Sequence, residues 1–186
     1  AVMPFFEPWD EASFDAQGWT FDPISSPHWL FNEADGNPAP TAAFAWSPTV
    51  EDYSQALVSP PIDATSAVNN VTLKFDLFLS GYGYLNENFM TVEVWNGSTW
   101  VEVAEFNDTE GIPWTTVKYD ISDEALGQLT KIRFRANGLD SYNINWWYVD
   151  NIKVYESITY TLYGVVTELA GGAPIQGAMI EVEGYD

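Results

Sequence analysis

Hydrophobic and polar residues alternate along the middle of the chain with the two-residue period of β-strands. In VTLKFDLFLS, the odd-numbered residues from Val71 to Leu79 share one face, and Thr72, Lys74 and Asp76 share the other. Phe78 interrupts the polar face, which indicates that this strand is covered on both sides near its end. The pattern predicts a strand over 71–80.

A hairpin follows, because MTVEVW and TWVEVAEF alternate on either side of Asn96-Gly97. Asn-Gly tolerates the positive φ angles of a tight type I′ turn, so we predict that turn here. WTTVKYDIS, TKIRFRANG and WWYVDNIKVYE predict three further strands, and SDEALGQLT predicts one short helical turn with Ser122 as its cap and Gly127 as its stop. Short strands joined by turn residues predict an all-β fold, an antiparallel β-sandwich.

The two ends of the chain differ from this middle region. Most prolines fall in the first 65 residues, where DPISSPHW and NEADGNPAPTAAFAWSP predict long ordered loops. After Ser157, YTLYGVVTELAGGAPIQGAMIEVEGYD starts a new strand, Gly-Gly turn and strand. We therefore predict one domain over 1–156 and the truncated start of a second over 157–186.

The balance of acidic and basic residues excludes some classes of binding partner. The chain carries 27 Asp and Glu against six Lys and Arg, a net charge of -21, and so lacks the basic clusters that bind nucleic acid. Such a surface suits divalent cations or a salty medium and keeps a secreted protein soluble. No apolar run is long enough to span a bilayer.

Catalytic signatures are also missing. The chain has no cysteine, which excludes disulfides, thiolate zinc sites and cysteine nucleophiles. His28 is the single histidine, and no G-x-S-x-G or H-E-x-x-H motif accompanies it. We expect His28 to be a packed loop contact and the chain not to be an enzyme.

Several segments resemble one family of surface proteins. The segments that carry the resemblance are FFEPWD, YSQALVSPPID, LKFDLFLS, MTVEVWNGSTWVEV and WWYVDNIKV. This part of the chain resembles the cleaved-adhesin and choice-of-anchor jelly-roll domains, which are relatives of the MAM domain in secreted proteins of Bacteroidetes-like bacteria. The tail GVVTELAGGAPIQGAMIEVEG resembles the opening of a carboxypeptidase regulatory-like, Ig-like domain. These resemblances imply a secreted or cell-surface multidomain protein.

The resemblance also implies a structural calcium ion where the first strand, an early loop and the last strand meet. The matching positions here are Glu7 and Asp150, with early-loop candidates Asn32, Asp35 and Asn37, and with Asp52 before the next strand. Calcium takes six to eight oxygen ligands, and NEADGN is rich in them without having the spacing of an EF-hand.

Aromatic side chains suggest a glycan-binding surface, because an apolar ring beside polar groups suits a sugar. The candidate ligand-binding residues are Trp29, Tyr82, Tyr84, Trp114, Tyr142 and Trp146. Trp146 and Trp147 are adjacent and must point to opposite faces of a strand, so only one of them can be in the core.

The resulting hypothesis is a noncatalytic, calcium-stabilised adhesion module that binds a glycan or an extracellular protein. Two alternatives remain. One is an accessory domain of a secreted peptidase or glycosidase, and the other is a structural subunit of an extracellular filament or surface layer that self-associates through an open strand edge.

Overall fold

The computed structural model describes residues 1–25, 28–82, 87–107, 109–158, 165–168 and 170–176. Its strands are β1 (Phe5–Glu7), β2 (Thr20–Asp22), β3 (Trp29–Asn32), β4 (Thr41–Phe44), β5 (Glu51–Val58), β6 (Ile62–Asp63), β7 (Asn70–Gly81), β8 (Asn88–Trp95), β9 (Trp100–Asn107), β10 (Ile112–Asp120), β11 (Leu129–Thr130), β12 (Ile132–Asp140) and β13 (Ile144–Ser157). One helical turn, α1 (Ser122–Ala125), and one 3₁₀ turn (Ser141–Asn143) complete the described elements.

The strands form two main antiparallel sheets. The six-stranded sheet has the order β10-β7-β13-β4-β3, and β1 also pairs with β13. The five-stranded sheet has the order β2-β5-β12-β8-β9, and β6 pairs with β11 at the side. The predicted all-β antiparallel sandwich is therefore confirmed.

The core lies between the inner faces of the two sheets, as strand alternation requires. Phe75 of β7 contacts Phe134 of β12 edge-to-face across the sandwich, with ring centroids 5.0 Å apart. The fully buried large side chains include Trp9, Trp19, Trp147, Phe44 and Phe75. Trp9 and Trp19 lie between β1 and β2, so this connection is a packed part of the core.

The hairpin between β8 and β9 has the predicted strands but a longer turn. Trp95 pairs with Trp100, so the loop holds four residues, and within it only Gly97 has a positive φ (89°). The Asn96 carboxamide oxygen accepts from the Ser98 and Thr99 N–H groups. The predicted two-residue type I′ turn is wrong because the Asn96 side chain organises the loop instead.

In the described part of the tail, Thr167 bridges Pro174 in antiparallel fashion around Gly172, whose φ is 67°. This agrees with the expected Gly-Gly turn, while the strands expected on either side fall largely outside the described residues. The boundary at Ser157 stays a prediction. No helix in the described ranges is long and apolar enough to cross a membrane.

Candidate functional site

Strand β13 changes its neighbour part-way along its length. Trp147–Val149 pair with β4, whereas residues 152–154 pair with β1. The register with β7 shifts between Asp150 and Lys153, and Asn151 has a left-handed φ of 49°. The change of partner and the bulge coincide, so the sheet opens at Asp150-Asn151 and leaves space for a loop.

Residues 33–40 approach this opening from β3. The N–H of Asn37 donates to Asp150 Oδ2 (2.7 Å), and its side-chain amide donates to Asp76 Oδ2 (3.0 Å). The amide of Asn151 donates to the same Asp76 oxygen (2.9 Å) and to the Asn37 carbonyl, while the Thr116 hydroxyl donates to Asp76 Oδ1. We call Asn37, Asp76, Thr116, Asp150 and Asn151 the polar cluster.

The two carboxylates of the polar cluster lie on adjacent strands, where Asp150 and Asp76 are register partners. Asp150 is completely buried. Burial raises its pKa to about 6, and the carboxylates of Asp76 and Asp10 add to that rise, although N–H donation from Asn37 and Asn151 opposes it. A buried carboxylate with a like charge beside it is a costly arrangement that a cation would relieve.

A glycine and a tyrosine determine the course of the loop over 33–40. A Cβ atom at Gly36 would come within 2.5 Å of the Pro38 carbonyl oxygen and the Ala39 Cα, so no other residue fits this turn. Asn32 donates to the Tyr148 hydroxyl (2.9 Å) and to Asp35 (3.0 Å), and that hydroxyl donates to Asp35 (3.2 Å). Burial, followed by the charge of Asp35, raises the pKa of Tyr148 to about 12, so the hydroxyl remains a donor.

An aromatic group continues the same outer face beyond the polar cluster. Tyr148 stacks with Phe78, Trp114 and Trp146, with ring centroids 5.6, 5.9 and 6.0 Å from its own. Trp146 is 49% exposed, whereas the neighbouring Trp147 is fully buried, as strand alternation predicts. We call Phe78, Trp114, Trp146 and Tyr148 the aromatic cluster.

Two other predicted ligand-binding residues lie at the same end of the sheet. Tyr82 and Tyr142 are both more than half exposed, and the Tyr82 N–H donates to the carbonyl of Asn143, next to Tyr142. Tyr84 lies outside the described residues. Trp29 differs from expectation: it is 4% exposed, packs on Phe44 and donates to the Gln55 carbonyl, so it belongs to the core.

The predicted metal ligands separate into different places. Asp150 lies in the polar cluster, and Asn32 and Asp35 lie beside it at Tyr148. Glu7 is buried with Phe5 on the inner side of β1, where its two oxygens accept from the Trp9 N–H and the Trp19 indole. Asp52 is exposed on β5 of the other sheet, in a left-handed conformation (φ 46°) that Asp tolerates. Glu7 therefore has hydrogen-bond partners within the N-terminal segment, and Asp52 lies on a different sheet from Asp150.

Across the described residues, no three His, Cys, Asp or Glu side chains are grouped to hold a metal ion. The polar cluster offers a different donor set, two carboxylates with carboxamide and carbonyl oxygens, which is the oxygen chemistry that Ca²⁺ accepts. His28 is buried, stacks on Phe44 and contacts the Ala45 carbonyl through Nδ1 (2.8 Å), as expected for a packed residue.

In the sequence, Asp76 is marked only as part of the polar face of its strand, and Thr116, Asn151 and Tyr148 are not marked as ligand or metal residues. The sequence feature that points to this region is the isolated Phe78, which interrupts that polar face two residues after Asp76. It indicated that the outer side of β7 is covered, and the covering groups are the aromatic and polar clusters.

Comparison with known proteins gives the fold but not a family. No family model matches the chain, and no curated protein sequence matches it. The fold is that of solved β-sandwiches. The K1 cleaved adhesin domain of Lys-gingipain from Porphyromonas gingivalis W83 has a TM-score of 0.58 at 12% identity, over 83% of this chain and 99% of that one. The K3 cleaved adhesin domain of the same protein has a TM-score of 0.59 at 13% identity, over 82% and 98%.

A carbohydrate-binding module of the β-sandwich superfamily is also similar, with a TM-score of 0.55 at 11% identity over 84% of this chain and 63% of that one. At these identities the likeness concerns the arrangement of strands. The resemblance to cleaved-adhesin domains is thereby supported at the level of the fold, while the MAM-like and Ig-like assignments stay predictions.

Proposed function

We propose that the chain is a noncatalytic glycan-binding module, with the aromatic cluster as its contact surface. The observation that carries this proposal is Trp146, which exposes half of its surface while Tyr148 holds it from below. An exposed indole on a rigid strand offers an apolar face to a sugar at little entropic cost, and Asp35 and Asn32 supply polar groups nearby. Similarity to adhesin domains and to a carbohydrate-binding module supports this function and an extracellular location.

The test is a glycan-array screen in calcium buffer followed by calorimetry on the best ligand. Trp146→Ala is expected to weaken binding about 5-fold to 150-fold, since loss of one stacked ring removes about 1–3 kcal/mol. Trp95→Ala is the matched control, because Trp95 is a partly exposed indole on the five-stranded sheet. Equal affinity of the Trp146 variant and the wild type would refute the aromatic cluster as the contact surface.

We also propose that Ca²⁺ binds at the polar cluster, with Asp76, Asp150 and the oxygens of Asn37 and Asn151 as ligands. The ion would neutralise two close carboxylates and hold the loop over 33–40 against β13. Through Asn32 and Asp35 that loop contacts Tyr148, which supports Trp146. A metal here would therefore stabilise the contact surface without touching the glycan.

Thermal melting in EDTA and in millimolar calcium tests the metal. A ligand at a thousandfold excess over its dissociation constant stabilises the native state by about 4 kcal/mol, a rise of about 10 °C for a chain of this size. Asp76→Asn is expected to abolish most of the rise, whereas Asp52→Asn, which alters an exposed carboxylate on the other sheet, is expected to keep it. Equal calcium responses in both variants would place the ion elsewhere.

A further inference from the structure

Three of the six basic residues of this chain lie in one row on the outer face of the six-stranded sheet. Lys74 of β7 is the register partner of both Lys118 on β10 and Lys153 on β13. Like charges on neighbouring strands repel each other, and strand spacing places the outer two backbones only about 10 Å apart. In a chain with a net charge of -21, this row brings half of the basic residues together in one place.

An exposed aromatic ring adjoins the row. Phe6 of β1 is the register partner of Lys153, is 49% exposed, and has the Lys153 ammonium nitrogen 4.9 Å from its ring centroid. A groove of about 650 Å³ opens here, with Phe6, Tyr155, Met3 and Pro4 as its apolar lining and Lys118 and Lys153 as its cations. Its lining also includes the carboxylate of Glu156, which accepts from the N–H groups of Val68 and Asn69. That volume lies within the range of small-ligand sites, which combine apolar walls with a few fixed polar groups.

We propose that this groove is a second binding site, separate from the aromatic cluster, and that it takes an acidic sugar of a glycan. A uronate ring carries both features that the groove recognises, a carboxylate for the lysine ammonium groups and a C–H face for Phe6 and Tyr155. Lys74 and Lys118 each take part in further contacts, so Lys153, beside Phe6, is the residue that tests the site.

A peptide fits the groove less well than a sugar. Extended peptides are held chiefly by main-chain hydrogen bonds to an open strand edge. The floor of this groove is instead a sheet face, where β13 is paired on one side with β7 and on the other with β1. The groups presented to a ligand are therefore side chains, and a ligand that needs only ring stacking and an anion contact suits them.

Calorimetry with trigalacturonate and with its carboxyl-reduced, neutral counterpart tests the proposal on the full chain. We expect the acid to bind at least tenfold more tightly than the neutral trisaccharide, because a charge-assisted contact contributes about that factor. Lys153→Met, which keeps the aliphatic stem, is expected to weaken binding of the acid about tenfold, and Lys153→Arg to retain it. Lys131→Met, a change of a lysine outside the groove, is the matched control.

Titrations of the Trp146 and Lys153 variants with trigalacturonate distinguish this site from the proposed contact surface. Trp146→Ala is expected to leave the affinity for trigalacturonate unchanged, so a failure of the aromatic cluster does not affect this result. Equal binding of acid and neutral sugar, no binding of the acid, or a Lys153→Met variant with wild-type affinity and an unaltered melting temperature would each overturn the second site. Loss of acid binding in Trp146→Ala would assign it to the aromatic cluster and overturn it too.

Discussion

Consecutive residues of β13 perform different tasks because side chains alternate across a strand. Trp147 enters the core, while Trp146 and Tyr148 share the outer face, one exposed and the other covered. Two residues later Asp150 is buried among N–H donors on that same side. A run of aromatic residues followed by Asp-Asn thus combines core packing with a polar site in one strand. The same segment can therefore contribute to the core and to a functional site.

Glu93 gives the clearest single-residue prediction. It is hydrogen-bonded to Arg133 (2.6 and 2.7 Å) and Arg135 (2.8 Å). Burial tends to raise its pKa, but the two arginines outweigh that effect and lower it. A lowered folded-state pKa means that the stabilisation is present above the unfolded pKa of about 4.5 and is lost as the pH falls through the folded value.

Glu93→Gln should therefore lower the free energy of unfolding by about 3 kcal/mol at pH 7, because it leaves the mostly buried Arg133 and Arg135 with only the largely exposed Asp22 as a carboxylate partner among the described residues. Its deficit relative to the wild type should shrink as the pH falls below the unfolded pKa and through the lower folded pKa of Glu93. Urea unfolding at pH 7 and pH 3.5 measures both quantities. Glu105→Gln, an exposed neighbour on β9, is the control, and a deficit independent of pH would contradict the ion-pair explanation.

Among the elements, alternation predicted the long strands β7, β8, β9, β10, β12 and β13. It missed the short strands β1 to β4, since three or four residues carry too little periodicity. Those strands and the connections between them are held by distant contacts, such as the Trp9 indole, between β1 and β2, donating to the Val149 carbonyl (2.9 Å). Such a contact joins residues 140 positions apart, and no local pattern in the sequence contains it.

Residues of the candidate site could be predicted from the sequence only where the residue type itself suggests a function or where a family resemblance marks the position. Trp114 and Trp146 were expected from their aromatic character, and Asp150 from a resemblance. Asp76 was not singled out, because its partnership with Asp150 depends on which strands are neighbours. The resemblance implies that Glu7 and Asp150 bind one calcium ion. In the structure Glu7 lies on the inner side of β1, whereas Asp150 is the register partner of Asp76 on β7, and the shared metal stays a prediction.

The bulge in β13 makes an element-scale prediction. Asn151 combines a left-handed backbone with side-chain donation to Asn37 and Asp76. Asn151→Gly keeps the backbone conformation accessible and loses the side-chain bonds, whereas Asn151→Ala loses the bonds and adds backbone strain.

We expect the alanine variant to be less stable than the glycine variant by about 1 kcal/mol, in chemical unfolding without calcium. This order is the reverse of the usual preference for alanine over glycine in a strand. Should alanine be the more stable of the two, the left-handed conformation at this bulge would not be a constraint on the fold.

For the whole molecule, the outer face of the six-stranded sheet divides into three zones along β13. The aromatic cluster is at one end, the polar cluster lies at the bulge, and the row of Lys74, Lys118 and Lys153 is at the other end. Only the last zone is cationic in a strongly acidic chain. The two proposed ligand sites and the proposed metal therefore share one rigid sheet, and the bulge lies between the two sites.

The net charge of -21 leads us to expect that stability depends on salt, and the measurement of that dependence is also a control for the calcium experiment. Self-repulsion destabilises the compact state, and the screening length falls from about 30 Å at 0.01 M salt to about 10 Å at 0.1 M. Raising NaCl from 0.01 to 0.3 M without calcium should therefore raise the melting temperature by about 3–6 °C, the equivalent of about 1.5 kcal/mol. Asp76→Asn should respond to NaCl as the wild type does, since screening acts on the whole surface.

Calcium added at matched ionic strength should give a further rise in the wild type and little in Asp76→Asn. A calcium ion bound at the polar cluster would remove the repulsion between two particular carboxylates, whereas screening weakens the repulsion between all pairs of acidic groups. If NaCl at the same ionic strength reproduces the whole effect of calcium, the cation acts as a screening salt and the polar cluster is not its site. Absence of any NaCl effect would mean that the acidic groups are too dispersed for their repulsion to limit stability.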